Sequence, residues 1–184
     1  MITMIPLKDG HPLQPEVIQG ISNQTVPLEL LCISRPKKSS DDPYLVKKDN
    51  GVISITVCRN ILRETVLKSN EEFFLMLNSD VIFSSPTDVE DMLNFLKENE
   101  EFGLVALHTR TDFQLPMLEF KFHIDIACSI IRRYVLENIV FHNDDGFRTG
   151  VCNCKCLSMD MRKLQKHNRS TYLDFRQLRE AKRI

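Results

Sequence analysis

No glycine-rich phosphate loop occurs in this chain. The G-x-G-x-x-G fingerprint does not follow the first apolar run, and G-x-x-x-x-G-K-[ST] occurs nowhere. A nucleotide site here has to rest on other chemistry. No apolar run approaches the roughly 20 residues needed to span a bilayer. Residues 1–6 (MITMIP) lack the charged start and long apolar core of a signal peptide. These two absences predict an intracellular protein, in which the sequons at Asn23 and Asn168 stay unused. No charge sign dominates either: the formal net charge is −1, which excludes a global polyanion-binding signature. Internal repeats and low-complexity segments are missing as well. What remains is a single domain of 184 residues, long enough to bury a stable core unaided.

The six cysteines form no good zinc pattern. Cys152, Cys154 and Cys156 alternate, whereas zinc sites use pairs separated by two to four residues. On a strand these three would share one face, and a disulfide within such a run is geometrically awkward. A link from one of them to Cys128 or Cys32 stays open. Cys32, Cys58 and Cys128 stand in apolar surroundings and read as buried thiols.

What is present is an alternation of apolar runs and helical periods. Residues 2–5, 28–34, 73–77 and 102–107 read as strands, with a short one over 51–55 and a later one over 123–131. Helices are predicted over 15–22, burying Val17, Ile18 and Ile21, and over 56–69, from 85 onward, and over 132–138, 159–167 and 174–183. The polar stretch 35–50 reads as a long irregular loop, a kind often tied to function. Strands alternating with helices through residue 107 argue a parallel-rich sheet in a βαβ series.

Residues 73–88 organise the rest. Phe73-Phe74-Leu75-Met76-Leu77 runs without alternation, as in a strand covered on both faces. The run stops at Asn78-Ser79-Asp80. Ligands of open α/β sheets bind beyond the carboxyl ends of the strands, so this triplet stands where a site is expected. A carboxylate there can hold Mn²⁺ or Mg²⁺ across a diphosphate. Both ions take oxygen ligands, commonly one or two carboxylates completed by substrate phosphates and water. Ser85-Pro86-Thr87-Asp88 then reads as a helix start, with Ser85 as cap and Asp88 as the capping-box acid. At the other extreme, residues 161–184 hold eight Lys or Arg against Asp174 and Glu180. That end is either a surface for nucleic acid, anionic lipid or a partner, or a solvated helix face.

Taken in order, these residues resemble the GT-A-fold glycosyltransferases of the family 2 type. Ile5-Pro6 resembles the end of that family's first strand. Gln24-Thr25-Val26-Pro27 resembles its Q-T-x-P turn, and Arg59-Asn60 its R-N pair. Asn78-Ser79-Asp80 lies where the family carries D-x-D, and residues 124–135 resemble its acceptor-side strand with an R-R-E-V continuation. The resemblance runs over roughly residues 2–170. It implies an α/β, GT-A (nucleotide-diphospho-sugar transferase) fold: a mostly parallel central sheet, flanking helices and a smaller antiparallel acceptor-side portion. Residues 1–107 would form the nucleotide-binding half and 108–184 the acceptor-side half of one domain. It also implies a nucleotide-diphospho-sugar donor held by Pro6, Leu7, Lys8, Arg59, Asn60, Asn78 and Ser79. Mn²⁺ or Mg²⁺ would sit at Asp80 with Asn78. Transfer to an acceptor hydroxyl of a glycan, protein or lipid would invert the sugar. The acceptor proton needs a carboxylate, and Asp160, Asp145 and Asp144 all stay open for that role. A basic end could complete the acceptor side against a partner protein or an anionic membrane. The short chain suits a viral or phage member.

The departures matter as much. Asn78 replaces an acid, keeping an oxygen acceptor and losing a charge. Ser34-Arg35 stands where an acid follows the second strand, and no clean E-D base motif occurs. A non-catalytic protein of the same fold, working through its basic end, is therefore the rival expectation, with a nucleotidyltransferase as a third.

Overall fold

A computed structural model describes residues 1–7, 12–34, 55–110, 126–141, 157, 160–161 and 174–183. For residues 34, 55, 108–110 and 174–183 the description is of the backbone. In chain order the strands and helices are β1 (Ile2–Leu7), α1 (Pro15–Ser22), β2 (Glu29–Ser34), α2 (Ile55–Val66), β3 (Phe73–Leu77), β4 (Val81–Ile82), α3 (Asp88–Glu98), β5 (Phe102–Arg110), β6 (Cys128–Arg132), α4 (Arg133–Asn138) and β7 (Asp174–Arg183). The strands form a single sheet in the order β2-β1-β3-β6-β5-β7-β4.

The central run behaves as its composition demands. All five residues of β3 are buried, because helices cover both faces of the sheet. Phe74 and Met76 pack with Leu62 and Val66 of α2 and with Val135 and Leu136 of α4. Phe73, Leu75 and Leu77 pack on the other face, with Val17 and Ile21 of α1 and Val89, Met92 and Leu96 of α3. This is the three-layer α/β arrangement in which period-2 polarity disappears from the strand sequence.

β1 pairs in parallel with β2 and β3, and β5 in parallel with β7. The antiparallel pairings come from β6, wedged between β3 and β5, and from the short β4 against β7. The antiparallel portion thus enters the middle of the sheet. In consequence β1, β2, β3, β5 and β7 all end at one edge, where β6 begins. Phe73 registers with Arg132 at the opposite edge, and Leu77 with Cys128 at this one.

Several sequence expectations change. Residues 174–183 are a strand, although their spacing reads as a helix. Their basic residues lie on a strand between β5 and β4, with Arg183 in register with Val81. Ile55 opens α2, so no strand ends there; residues 51–54 lie outside the described residues, as do Cys152, Cys154 and Cys156. The expected strand over 123–131 is β6, beginning at Cys128 after a turn at Ile126-Ala127. Ile18 is 45% exposed; Val17 and Ile21 alone carry the buried stripe of α1. Cys58 and Cys128 are buried as expected, whereas Cys32 is exposed because β2 is an edge strand.

Candidate functional site

The site is built at the carboxyl end of β3. Asn78 extends the ladder by one residue, its backbone N–H donating to the Ala127 carbonyl at 2.7 Å. The chain then turns back, and the Val81 N–H donates to the Asn78 carbonyl at 3.3 Å. Asn78, Ser79 and Asp80 are all half-buried on this turn. Beside them β1 ends with buried Pro6 and half-buried Leu7. The strand ends therefore bring Pro6 and Leu7 to the same edge as the triplet. Lys8 lies outside the described residues, as do Asp144 and Asp145.

Two adjacent residues of α2 hold this corner, and they face different partners. Arg59 is 3% exposed, and its Nη2 donates to Asn78 Oδ1 at 3.1 Å. An arginine offers donors and no acceptor. The Asn78 amide must therefore present its oxygen to the guanidinium and turn its Nδ2–H₂ group away from it. Asn60 is equally buried. Its Nδ2 donates to the Phe141 carbonyl at 2.8 Å, and its Oδ1 accepts the Phe141 N–H at 2.9 Å. That doubled bond fixes the segment leaving α4 to α2, so the place of Asn60 in the site is one of support. Asp160 is half-buried and helical; its neighbour Met161 packs in the core with Leu62 and Phe141, on the α2 face of the sheet.

The donor set decides what kind of metal the corner fits. Among the described residues, no group of three or more His, Cys, Asp or Glu side chains could hold an ion by itself. Asp80 offers a carboxylate, and the Asn78 oxygen, with two lone pairs, accepts one bond from Arg59. Such a set fits an ion that arrives on a diphosphate and draws its other ligands from phosphate and water.

A second set of contacts holds the start of α3, a few residues further along the chain. Gln24 Nε2 donates to the Ser85 carbonyl at 2.9 Å, and its Oε1 accepts the Val89 N–H at 3.1 Å. The Thr25 N–H donates to the Pro86 carbonyl at 2.9 Å, and its hydroxyl to Glu90 at 2.8 Å. The Q-T-x-P segment is thus a clasp on the start of α3, capping it from another part of the chain. Buried Asp88 reaches back as expected, accepting from the Ser84 and Ser85 N–H groups at 2.7 and 2.8 Å. Regular helix begins at Asp88 itself. The sequence carried the motif but no sign of its partner 61 to 65 residues away.

No protein-family model matches the chain, and no curated protein matches it. Solved structures do. Mannosyltransferase PcManGT from Pyrobaculum calidifontis, in complex with GDP-Man and Mn²⁺, matches with a TM-score of 0.59 at 16% identity, over 98% of this chain and 55% of that one. S. aureus TarS 1-349 matches at 0.56 and 14% identity, over 86% of this chain and 54% of that one. A197 from STIV matches at 0.55 and 15% identity, over 86% and 75%. The chain spans about half the length of the first two. The likeness is one of architecture: the chain has the GT-A, nucleotide-diphospho-sugar transferase fold.

Proposed function

We propose that this chain transfers a sugar from a nucleotide-diphosphate donor to an acceptor hydroxyl, with Asp80 holding a divalent ion carried on the two phosphates. The observation that carries the proposal is the half-buried Asp80 turn at the carboxyl end of β3, on the edge where the parallel strands finish. Neighbours of the same fold add support: PcManGT is solved with GDP-Man and Mn²⁺, and TarS with UDP-GlcNAc and with UDP.

In this scheme Asp80 would hold the ion, which would supply Lewis-acid stabilisation of charge on the leaving diphosphate. Pro6, Leu7 and Ser79 shape the strand-end wall against the donor, and Lys8 follows them in the chain. The acceptor oxygen attacks the anomeric carbon as the bond to the diphosphate breaks, and a carboxylate takes the acceptor proton. Asp160, Asp145 and Asp144 are the proposed bases. Single displacement inverts the sugar through a transition state of oxocarbenium character. The acceptor, the intracellular setting and any membrane or protein surface at the basic end belong to the same proposal.

The test is calorimetric titration with UDP and with GDP, each with and without Mn²⁺. Wild-type protein binds at least one of them, and Mn²⁺ tightens that binding. Asp80→Ala abolishes the Mn²⁺ effect. If neither nucleotide binds wild type in the presence of Mn²⁺, the proposal fails.

A further inference from the structure

Asn78 stands where a second acid would help hold a cation, but its amide oxygen accepts from a guanidinium. The guanidinium of Arg59 lies 3.1 Å from its amide oxygen and is itself 3% exposed. A buried charge polarises a hydrogen-bonded group more strongly than an exposed one, because the local dielectric is low. Arg59 has only donors, so the orientation of the Asn78 amide is set by chemistry. The other end of that amide is an N–H₂ donor, on a side chain that accepts from a cation. Donors of this kind bind anions and repel dications.

We infer that Arg59 and Asn78 act together as an anion-holding pair, with Asn78 donating through Nδ2 to the diphosphate and Arg59 aligning and polarising it. This rests on the proposed donor site and changes how that site meets charge. Part of the diphosphate's charge is met by the protein, and the ion at Asp80 meets the rest. Nucleotide binding at this site therefore survives removal of divalent metal. Asn78 is the residue that touches the ligand; Arg59 is a positioning residue.

The quantity to measure is the ratio of UDP and GDP dissociation constants in EDTA to those in Mn²⁺. Wild type shows a ratio of about ten or less, equivalent to a small share of the binding free energy. Asn78→Asp keeps the side chain's shape, pairs its carboxylate with Arg59 and converts the donor into an acceptor. Its ratio rises to about a hundred or more, because metal-free binding weakens while metal binding tightens. Arg59→Gln keeps a hydrogen-bond donor but loses the charge, and weakens metal-free binding about tenfold. Loss of wild-type binding in EDTA, with binding intact in Mn²⁺, overturns the inference and leaves the proposed function standing. An unchanged ratio in Asn78→Asp overturns it too. Absence of binding in both conditions sinks both proposals together.

Discussion

Both ends of β3 are held by arginine, and the arginines face different partners. At the Phe73 end, Arg132 donates to the Phe102 carbonyl at 2.9 Å and to the Leu96 carbonyl, and pairs with Glu72 at 2.8 Å. Its guanidinium lies over the Phe73 ring, 4.9 Å from the centroid. Arg133 donates to the carbonyls of Leu67 and Ser69, each at 2.7 Å. Leu96 lies in the last turn of α3, and Leu67 and Ser69 just past the end of α2. Helix carboxyl ends leave carbonyls without intrahelical partners and carry partial negative charge. Both guanidinium groups are therefore explained as clamps between helix ends and the sheet. At the Asn78 end, Arg59 donates to a side chain on a turn where strands finish. Residue type alone does not separate a clamp from a site; the acceptor does.

The largest expected effect lies at the clamp end. Arg132→Met leaves the Phe102 and Leu96 carbonyls short of a donor around a side chain only 14% exposed. It should cost about 2–4 kcal/mol in urea unfolding and leave nucleotide affinity unchanged. A shift in nucleotide affinity without loss of stability would break the distinction between the two ends. Next comes Asn60→Ala, which strands the buried N–H and carbonyl of Phe141. A loss of about 1–3 kcal/mol is expected. This sharpens the contrast within α2, where consecutive residues face a backbone and a site. An unfolding midpoint equal to wild type would remove Asn60 from the supports.

How far the fold could be read from sequence depended on how local its causes were. β3 was legible because burial on two faces removes polarity from five consecutive residues, Phe73 to Leu77. α1 was legible because Pro15 suits a first helical turn. β7 was misread because Asp174, Arg176, Arg179 and Arg183 also suit a solvated helix. Its strand state comes from pairing with β5 and β4, a tertiary choice that overrides propensity. Cys32 and Ile18 failed for a related reason, since apolar character does not reveal which strand lies at an edge or how wide a helix stripe is. At the site, the strand-end position of Asp80 followed from the apolar run and the turn. The bond from Arg59 to Asn78 spans 19 residues, and no spacing in the sequence announces it.

The smallest expected effect on stability belongs to Asp80→Ala. Asp80 is half-buried on a turn, and polar interactions of such a partly exposed carboxylate are worth little, so its removal should cost about 1 kcal/mol or less. The same substitution should remove the Mn²⁺ dependence of UDP or GDP binding. Set beside Arg132→Met, it makes a double dissociation along one strand: one change moves the unfolding midpoint and not the ligand, the other the ligand and not the midpoint. Both readouts come from one protein preparation, by urea titration and calorimetry. A large stability loss in Asp80→Ala would mean that the turn is held in place by its carboxylate. The carboxyl end of β3 would then be a second clamp, and the case for a metal-assisted site there would lose its main support.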